Sequence, residues 1–150
     1  MAWCSTFPHT PANLAEFGRS GNEETPSPFP QVRIVGLAQC GTHAVVDAAR
    51  GPITIGEQTL TAELIPRLQP GMLVTADRNF YSYRAWQEAL ATGAALLWRV
   101  SASLTLPVLE WLPDGSYRSV LIDPKVKRRL SRRTHRHAIT RHIAVKAVGD

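Results

Sequence analysis

The feature that most constrains the fold is the alternation of strand and helix patterns between residues 31 and 102. Two strand patterns, QVRIVGLAQC and THAVVDAA, flank a predicted hairpin turn at Gly41–Thr42. Residues 57–68 then place large aliphatic side chains at helical spacing, and a Pro-Gly pair ends this helix. Short strands that alternate with helices are typical of α/β proteins. The predicted class is therefore α/β, with an antiparallel hairpin followed by parallel crossovers.

A strand–helix–strand unit follows, and its first strand ends at a carboxylate. The run GMLVTAD predicts a short buried strand that stops at Asp77. A helix is predicted from the N-cap Ser82 to Gly93, and AALLWRVSA predicts the next strand. An ionised carboxylate is not buried unpaired, and α/β sheets present functional groups at the carboxyl ends of their strands. We therefore expect Asp77 at the end of a central strand, facing a solvent groove.

The two flanks of this unit carry different patterns. Residues 1–30 hold five of the eleven prolines and predict a loop-rich segment with one or two helical turns, capped by Asn13 and ended by Gly18. Residues 106–122, LPVLEWLPDGSYRSVLI, predict a hairpin whose turn is Asp114–Gly115. The chain has no internal repeat.

The composition excludes several classes of protein. Hydrophobic residues make up 44% of the chain and charged residues 19%, which excludes disorder over its whole length. The apolar runs are far shorter than the roughly 20 residues that span a bilayer, so no membrane protein is expected. The first residues lack the pattern of a secretory signal. Two cysteines without a CxxC motif fit a reducing compartment.

The charge is distributed unevenly along the chain. Residues 1–124 carry 8 Lys and Arg against 11 Asp and Glu, a net charge of −3. Residues 125–150 carry 9 Lys and Arg against one acid, a net charge of +8. A basic tail on a slightly acidic body indicates contact with a polyanion such as nucleic acid. The alternative is a tail that serves only solubility.

The segment TADRNFYSYRAW concentrates the residues that could carry chemistry. A carboxylate at the end of a strand suits Mg²⁺, which prefers oxygen ligands. The side chains of Arg78, Tyr81 and Arg84 suit contacts with phosphates and bases. The structural alternative is that Asp77 caps a turn and Tyr81 belongs to the core. Two-metal chemistry requires several carboxylates, and the spacing of Asp47 and Glu57 does not predict a site shared with Asp77.

Four segments together resemble a known protein family. They are PANLAEFG, FPQVRIVGLAQCGTHAVVDAA, GMLVTADRNFYSYRAW and GAALLWRVSASLTLPVLEWLPDGSYRS, and they cover about residues 6–120. They closely resemble the bacterial insertion-element-4 family of DDE transposases. The resemblance implies an RNase H-like fold interrupted by a β-rich insertion, and DNA cutting and joining with two Mg²⁺ ions held by Asp, Asp and Glu. The family's second Asp lies in an ADR-(G/N)-F-Y segment, which matches Asp77 as the catalytic and metal-binding residue.

The other two carboxylates of the family have no counterpart in the chain. Aligning the family's DGT-x-L-x-V-P-D-T-P stretch places Met1 at or next to the first Asp, and His9 replaces a later Asp. The family's Tyr-Arg-Glu-Lys pattern does not occur in the tail. The resemblance therefore implies an internal piece of the catalytic domain. We expect it to be inactive, because it keeps one of three catalytic carboxylates.

The resemblance also divides the chain into four parts. They are a Pro/Gly-rich N-terminal segment (1–30), a partial RNase H-like catalytic core (31–102), a β-hairpin of the insertion (103–124) and a basic tail (125–150). The strand that contains Val32–Leu37 is expected to neighbour the strand that ends at Asp77. No second carboxylate is expected close enough to Asp77 to share a metal.

The expected function is DNA transposition in the bacterial cytoplasm, at the nucleoid when DNA is bound. The expected partner is the DNA of insertion-element ends, and the oligomeric state stays open. Two alternatives remain: a non-catalytic DNA-binding remnant that uses the basic tail, and a non-functional pseudogene product. The residues expected to contact DNA are Arg78, Tyr81, Arg84, Lys125, Lys127, Arg128, Arg129, Arg132 and Arg133.

Overall fold

A computed structural model describes residues 1–130 and 141–145 of the chain. These residues belong to two compact units, Met1–Val100 and Ser101–Asp150.

The first unit begins with a three-stranded antiparallel sheet. Strand β2 (Gln31–Ala38) and strand β3 (Val45–Pro52) form the predicted hairpin. Strand β1 (Ala2–Thr6) pairs with the other side of β2, in the order β1-β2-β3. Strand β1 is not predicted by the sequence pattern, because its five residues lack a clear apolar alternation. Its partner is about 30 residues away, so local patterning carries no signal for this pairing.

A short helix, α1 (Pro11–Phe17), links β1 to β2. Its N-cap is Thr10 rather than the predicted Asn13: the Thr10 hydroxyl accepts a hydrogen bond from the Asn13 backbone N–H at 3.2 Å. Thr10 takes this position because Pro11 has no N–H and a fixed φ, which suits the first helical residue. The helix ends at Gly18 as predicted, with a φ of 68°.

The second part of this unit is a parallel strand pair joined by a helix. Strand β4 (Leu73–Ala76) and strand β5 (Ala95–Trp98) are parallel, and helix α3 (Tyr83–Ala91) connects them. Ser82 caps α3 as predicted by accepting a hydrogen bond from Ala85 N. Helix α2 (Glu57–Leu64) and a 3₁₀ turn (Ile65–Arg67) precede β4.

The prediction that β2 neighbours β4 is wrong. Its hydrogen-bonded partner is β5, and these two strands form a sheet of their own within the described residues. Strand β2 is flanked by β1 on one side and β3 on the other along most of its length, which leaves it little edge to share. Strand β4 is therefore an edge strand rather than the expected central one.

Two buried clusters support these sheets. One contains Leu60 and Leu64 of α2 with Val35 and Ala49 of the first sheet, and Leu60 is 1% exposed. The other contains five residues around α3 and the 3₁₀ turn: Ile65, Leu68, Ala85, Ala89 and Ala94. Half-buried Leu37 of β2 packs against both clusters. The helical segments thus pack one apolar cluster against each sheet, and a fully buried Leu contributes about 1.5–3 kcal/mol.

The second unit contains another antiparallel sheet. Strands β6 (Glu110–Trp111) and β7 (Tyr117–Leu121) form the predicted hairpin. The Asp114–Gly115 turn depends on the glycine, whose φ of 80° favours a residue without a side chain. Helix α4 (Pro124–Leu130) follows, and strand β8 (Arg141–Val145) pairs with β7. Strand β8 is not predicted by the sequence pattern, because the high charge density of the tail hides its short strand pattern.

The mixed α/β class predicted from the sequence is confirmed. The described residues contain no helix that is long and apolar enough to cross a membrane.

Candidate functional site

Asp77 lies directly after β4, at the point where the chain turns into a 3₁₀ turn (Arg78–Phe80). It is the N-cap of that turn, and its Oδ1 atom accepts a hydrogen bond from the Arg78 backbone N–H at 2.7 Å. Aspartate is a preferred N-cap because its carboxylate satisfies an N–H group that the turn leaves free. The structural alternative considered from the sequence, a turn cap, is therefore one real role of Asp77.

The second partner of Asp77 is Arg99, which follows the neighbouring strand. The Arg99 Nη1 and Asp77 Oδ1 atoms are 3.9 Å apart, and the side chains are 74% and 55% exposed. The backbone N–H of Arg99 donates to Ala76 O. This hydrogen bond extends the β4–β5 pairing and fixes the backbone of Arg99 beside the end of β4. An exposed pair at this distance contributes about 0–1 kcal/mol, so the Asp77 carboxylate stays accessible to a ligand.

The donor set around Asp77 does not fit a pair of magnesium ions. Within residues 1–130, and wherever else the structure describes side chains, no three His, Cys, Asp or Glu residues form a group that could hold a metal. Asp47 instead pairs with Arg67 at 3.2 Å, and Glu57 lies in a different cleft from Asp77. Two cations about 4 Å apart require several carboxylates. We therefore derive no metal-dependent step from this site.

Asp77 lines a cavity of about 640 Å³, named here the apolar groove. Its walls include the run Val35–Cys40 from the end of β2 and the run Val74–Asp77 from β4. Its lining also includes Leu64, Ile65 and Leu68 from the end of α2 and the residues that follow it. The volume lies in the range of about 300–1,000 Å³ that is typical of ligand pockets. The expectation of a groove beside Asp77 agrees with this cavity.

Met1, which the resemblance aligns with the family's first Asp, also lines the apolar groove. Its amino group donates to Gly36 O at 3.0 Å, and Gly36 N donates to Met1 O at 2.8 Å. This reciprocal pair fixes the first residue of the chain against β2. Residues 1 and 77 thus line the same cavity.

A second cavity, named here the polar cleft, measures about 630 Å³. Arg78, adjacent to Asp77, lines it together with Asn79 and the first turn of α2, Gly56–Thr59. The N-cap Gly56 provides no side-chain hydrogen bond, so the helix N-terminus is open at this cleft. Arg33 from β2 completes the lining.

Arg33 is a residue of the cleft that was not predicted from the sequence. Its Nη1 atom donates to Ile55 O at 2.5 Å, and its Nε atom is buried without a partner among the described residues. The available signal was a basic residue inside an otherwise apolar strand, VRIVG, where a charge needs a polar partner. Only the folded chain brings this residue next to Arg78.

Tyr81 and Arg84, the other DNA-contact candidates of this segment, have structural partners. Tyr81 is half-buried and packs edge-on against Trp86, with ring centroids 6.5 Å apart. Burial, and to a smaller extent the charge of Tyr83, raises the pKa of Tyr81 above its ordinary value. The Arg84 Nε atom lies 2.7 Å from Glu88 Oε1, one helical turn on, and this hydrogen bond raises the pKa of Arg84. Both residues remain predictions as DNA contacts.

The tail candidates belong to the second unit and are described only in part. Lys125 and Arg128 are exposed on α4. Lys127 and Arg129 lie on the same helix, although the structure does not describe their side chains. Arg132 and Arg133 lie outside the described residues. Their role in DNA contact stays a prediction.

The chain was compared with known proteins. No family model matches it, and no solved structure matches it. The chain is 32% identical over 85 residues to the transposase InsG for insertion sequence element IS4 from Escherichia coli strain K12. The matched stretch is 55% of this chain and 19% of that relative, so the chain spans about a fifth of its curated relative. This similarity supports a transposase family.

Proposed function

We propose that this chain is part of a DNA transposition protein of the DDE type, and that it contacts DNA through the polar cleft. The observation that carries the proposal is the 85-residue similarity to a transposase. The position of Asp77 after a parallel strand supports it, because this is where α/β sheets present functional groups. In this proposal the first unit is a partial RNase H-like core.

The polar cleft offers the chemistry that a DNA phosphate requires. Arg33 and Arg78 carry permanent positive charges, and the open N-terminus of α2 adds backbone N–H groups and the positive end of the helix dipole. Glu57, in the same cleft, opposes an anion and limits the affinity. In the proposed function the basic residues of the tail add affinity that does not depend on sequence.

Asp77 is the candidate catalytic residue in this proposal. Magnesium, when bound in the family's enzymes, supplies activation of the attacking oxygen. In the described residues Asp77 belongs to no group of three or more His, Cys, Asp or Glu residues that could hold a metal, and two cations require several carboxylates. We therefore propose that the chain on its own binds DNA without cutting it.

Fluorescence anisotropy of a labelled DNA duplex tests the proposed contact. We expect Arg78→Gln to lower the slope of log affinity against log salt by about 0.9, the contribution of one phosphate contact. Arg50→Gln is the matched control, because Arg50 is an exposed arginine of β3 that does not line the cleft. Equal slopes for wild type and Arg78→Gln would contradict the proposed contact.

A second experiment separates the cleft from the tail. Replacing the six tail candidates with Gln in the full chain removes the proposed non-specific contacts: Lys125, Lys127, Arg128, Arg129, Arg132 and Arg133. We expect weaker binding at low salt with residual dependence on Arg78. If the six-fold variant binds as tightly as wild type, these six residues make no contact and their assignment as DNA contacts is wrong.

A further inference from the structure

We propose that the polar cleft binds the dianionic phosphate group of a phosphate monoester, which Arg33 and Arg78 hold together. This assignment deepens the proposed function, on which it rests for the contact between the cleft and DNA. It adds the class of phosphate: a group attached to the rest of its molecule by one ester bond, rather than the doubly linked phosphate inside a DNA strand.

The positive charge of Arg33 has no acidic partner among the described residues. Arg33 is half-buried on β2, and the one hydrogen bond of its guanidinium group goes from Nη1 to Ile55 O, while its Nε atom is buried without a partner. The arginines of the described ion pairs are Arg67, Arg84, Arg99 and Arg118. A guanidinium group has five N–H donors, and a charge withdrawn from water without a counter-ion is unfavourable. An anion in the cleft that Arg33 lines would balance this charge.

The start of α2 adds backbone donors to the same cleft. Thr59 N and Leu60 N both donate to Gly56 O, at 3.1 and 3.4 Å. The N–H groups of Glu57 and Gln58 precede them and have no carbonyl one turn back, so within the described chain they are unpaired. Two unpaired N–H groups beside arginine side chains suit the oxygens of an anion.

Gln58 connects the two sides of the cleft. Its Nε2 atom donates to Asn79 O at 3.3 Å and to Tyr81 O at 3.4 Å, in and directly after the 3₁₀ turn that contains Arg78. These bonds hold the turn against the start of α2 before any ligand is present. A site that is already formed loses less conformational entropy when it binds a ligand.

The depth and the charge of the cleft favour a monoester over a diester. Arg33 is half-buried and Arg78 is exposed, so a group that contacts both enters the cleft instead of lying across its mouth. A monoester enters end-on, because one of its oxygens carries the substituent and three remain as acceptors. Its charge approaches −2 above a second pKa of about 6, whereas a diester has one negative charge. Two arginines against the single acid Glu57 therefore favour the monoester.

Methyl phosphate and dimethyl phosphate are the probes, because they differ by one ester bond and contain no sugar or base. Each is titrated against the full chain by isothermal titration calorimetry at about pH 7.5, where the monoester is a dianion. We expect methyl phosphate to bind at least about tenfold more tightly, a difference of about 1.4 kcal/mol. Equal affinities, or no binding of methyl phosphate at millimolar concentration, would overturn the proposal.

Charge variants locate the bound phosphate. Arg33→Gln should weaken the binding of methyl phosphate by at least about tenfold, whereas the control Arg50→Gln, at an exposed arginine outside the cleft, should bind as wild type does. Glu57→Gln removes the opposing charge and should tighten binding by about twofold to fivefold. This gain does not require the Arg33 variant to fold. Unchanged binding in a folded Arg33→Gln variant, or no gain in Glu57→Gln, would contradict the proposal.

Two DNA duplexes identify the source of the phosphate group. If the ligand is a DNA terminus, a duplex with 5′-phosphate ends binds more tightly than the same duplex with 5′-hydroxyl ends. Equal binding of the two duplexes, with methyl phosphate still preferred, assigns the cleft to a free phosphate monoester. The proposed function fails separately, when Arg78→Gln leaves the salt dependence of duplex binding unchanged.

Discussion

The apolar groove and the polar cleft are lined by adjacent residues but offer opposite chemistry. Asp77 lines the groove and Arg78 lines the cleft. Helix α2 also serves both: its first turn borders the cleft, while Thr61 and Leu64 border the groove. A short helix has free N–H groups at its start and apolar side chains further along. One helix and one turn therefore line both a polar cleft and an apolar groove.

The largest expected effect removes both cavities together. Leu60 lies in the middle of α2, between the first turn at the cleft and the last residues at the groove, and it is 1% exposed. We expect Leu60→Ala to lower the free energy of unfolding by about 2–5 kcal/mol, because it leaves a void in the cluster that holds α2 against the first sheet. Chemical denaturation measures this change. A loss below about 1 kcal/mol would mean that α2 is not the shared support of the groove and the cleft.

The next prediction is that a second carboxylate in the apolar groove increases its affinity for a divalent metal ion. With an added initiator Met, Met1→Asp places a second carboxylate in the cavity that Asp77 lines. We expect Mn²⁺ affinity, measured by electron paramagnetic resonance, to rise by about tenfold, because divalent ions gain from each added oxygen ligand.

The control for this gain is Met1→Asn, which keeps the size of the new side chain without its charge. A further Asp77→Asn substitution should remove the gain. Unchanged affinity in Met1→Asp would contradict the assignment of position 1 to the family's first acidic position.

A smaller effect separates the two roles of Asp77. Asp77→Ala removes the hydrogen bond to Arg78 N and should destabilise the turn by about 0.5–2 kcal/mol, whereas Asn is itself a good N-cap. We therefore expect Asp77→Asn to retain nearly wild-type stability in thermal melts. If Asn and Ala destabilise equally, the ion pair with Arg99 matters more than the cap.

The smallest expected effect is the change in stability with pH that the ionisation of Tyr81 causes. The pKa of Tyr81 is raised by burial, so the unfolded chain loses this proton at a lower pH than the folded one. The stability that Tyr81 contributes is therefore complete below a pH of about 10, the pKa of a free tyrosine, and is lost as pH rises through the folded pKa.

Urea denaturation between about pH 8 and 11 tests the sign. Tyr81→Phe does not ionise and should lose less stability than wild type over this range. A steeper decline in the variant would show that Tyr81 is not the group responsible.

The sequence predicted those parts of the fold that depend on local chemistry. The Ser82 cap, the Asp114–Gly115 turn and the strand that ends before Asp77 each follow from a few neighbouring residues. The predicted N-cap of α1 was wrong by three residues, because Thr10 and Asn13 are both good capping residues. Pro11, which favours the first helical position, decides for Thr10.

Only the tertiary structure decided which edges pair and which residues meet. Strand β1 pairs with β2, and Arg33 and Arg78 line one cleft, although these residues are about 30 to 45 positions apart in the chain. Strands β2 and β4 lie in different sheets, which local patterns do not predict. The sequence by itself determined a carboxylate at the end of a strand and a charged tail after an acidic body. The groove and the cleft beside that carboxylate arose from packing, because cavities form where elements distant in the chain leave a space between them.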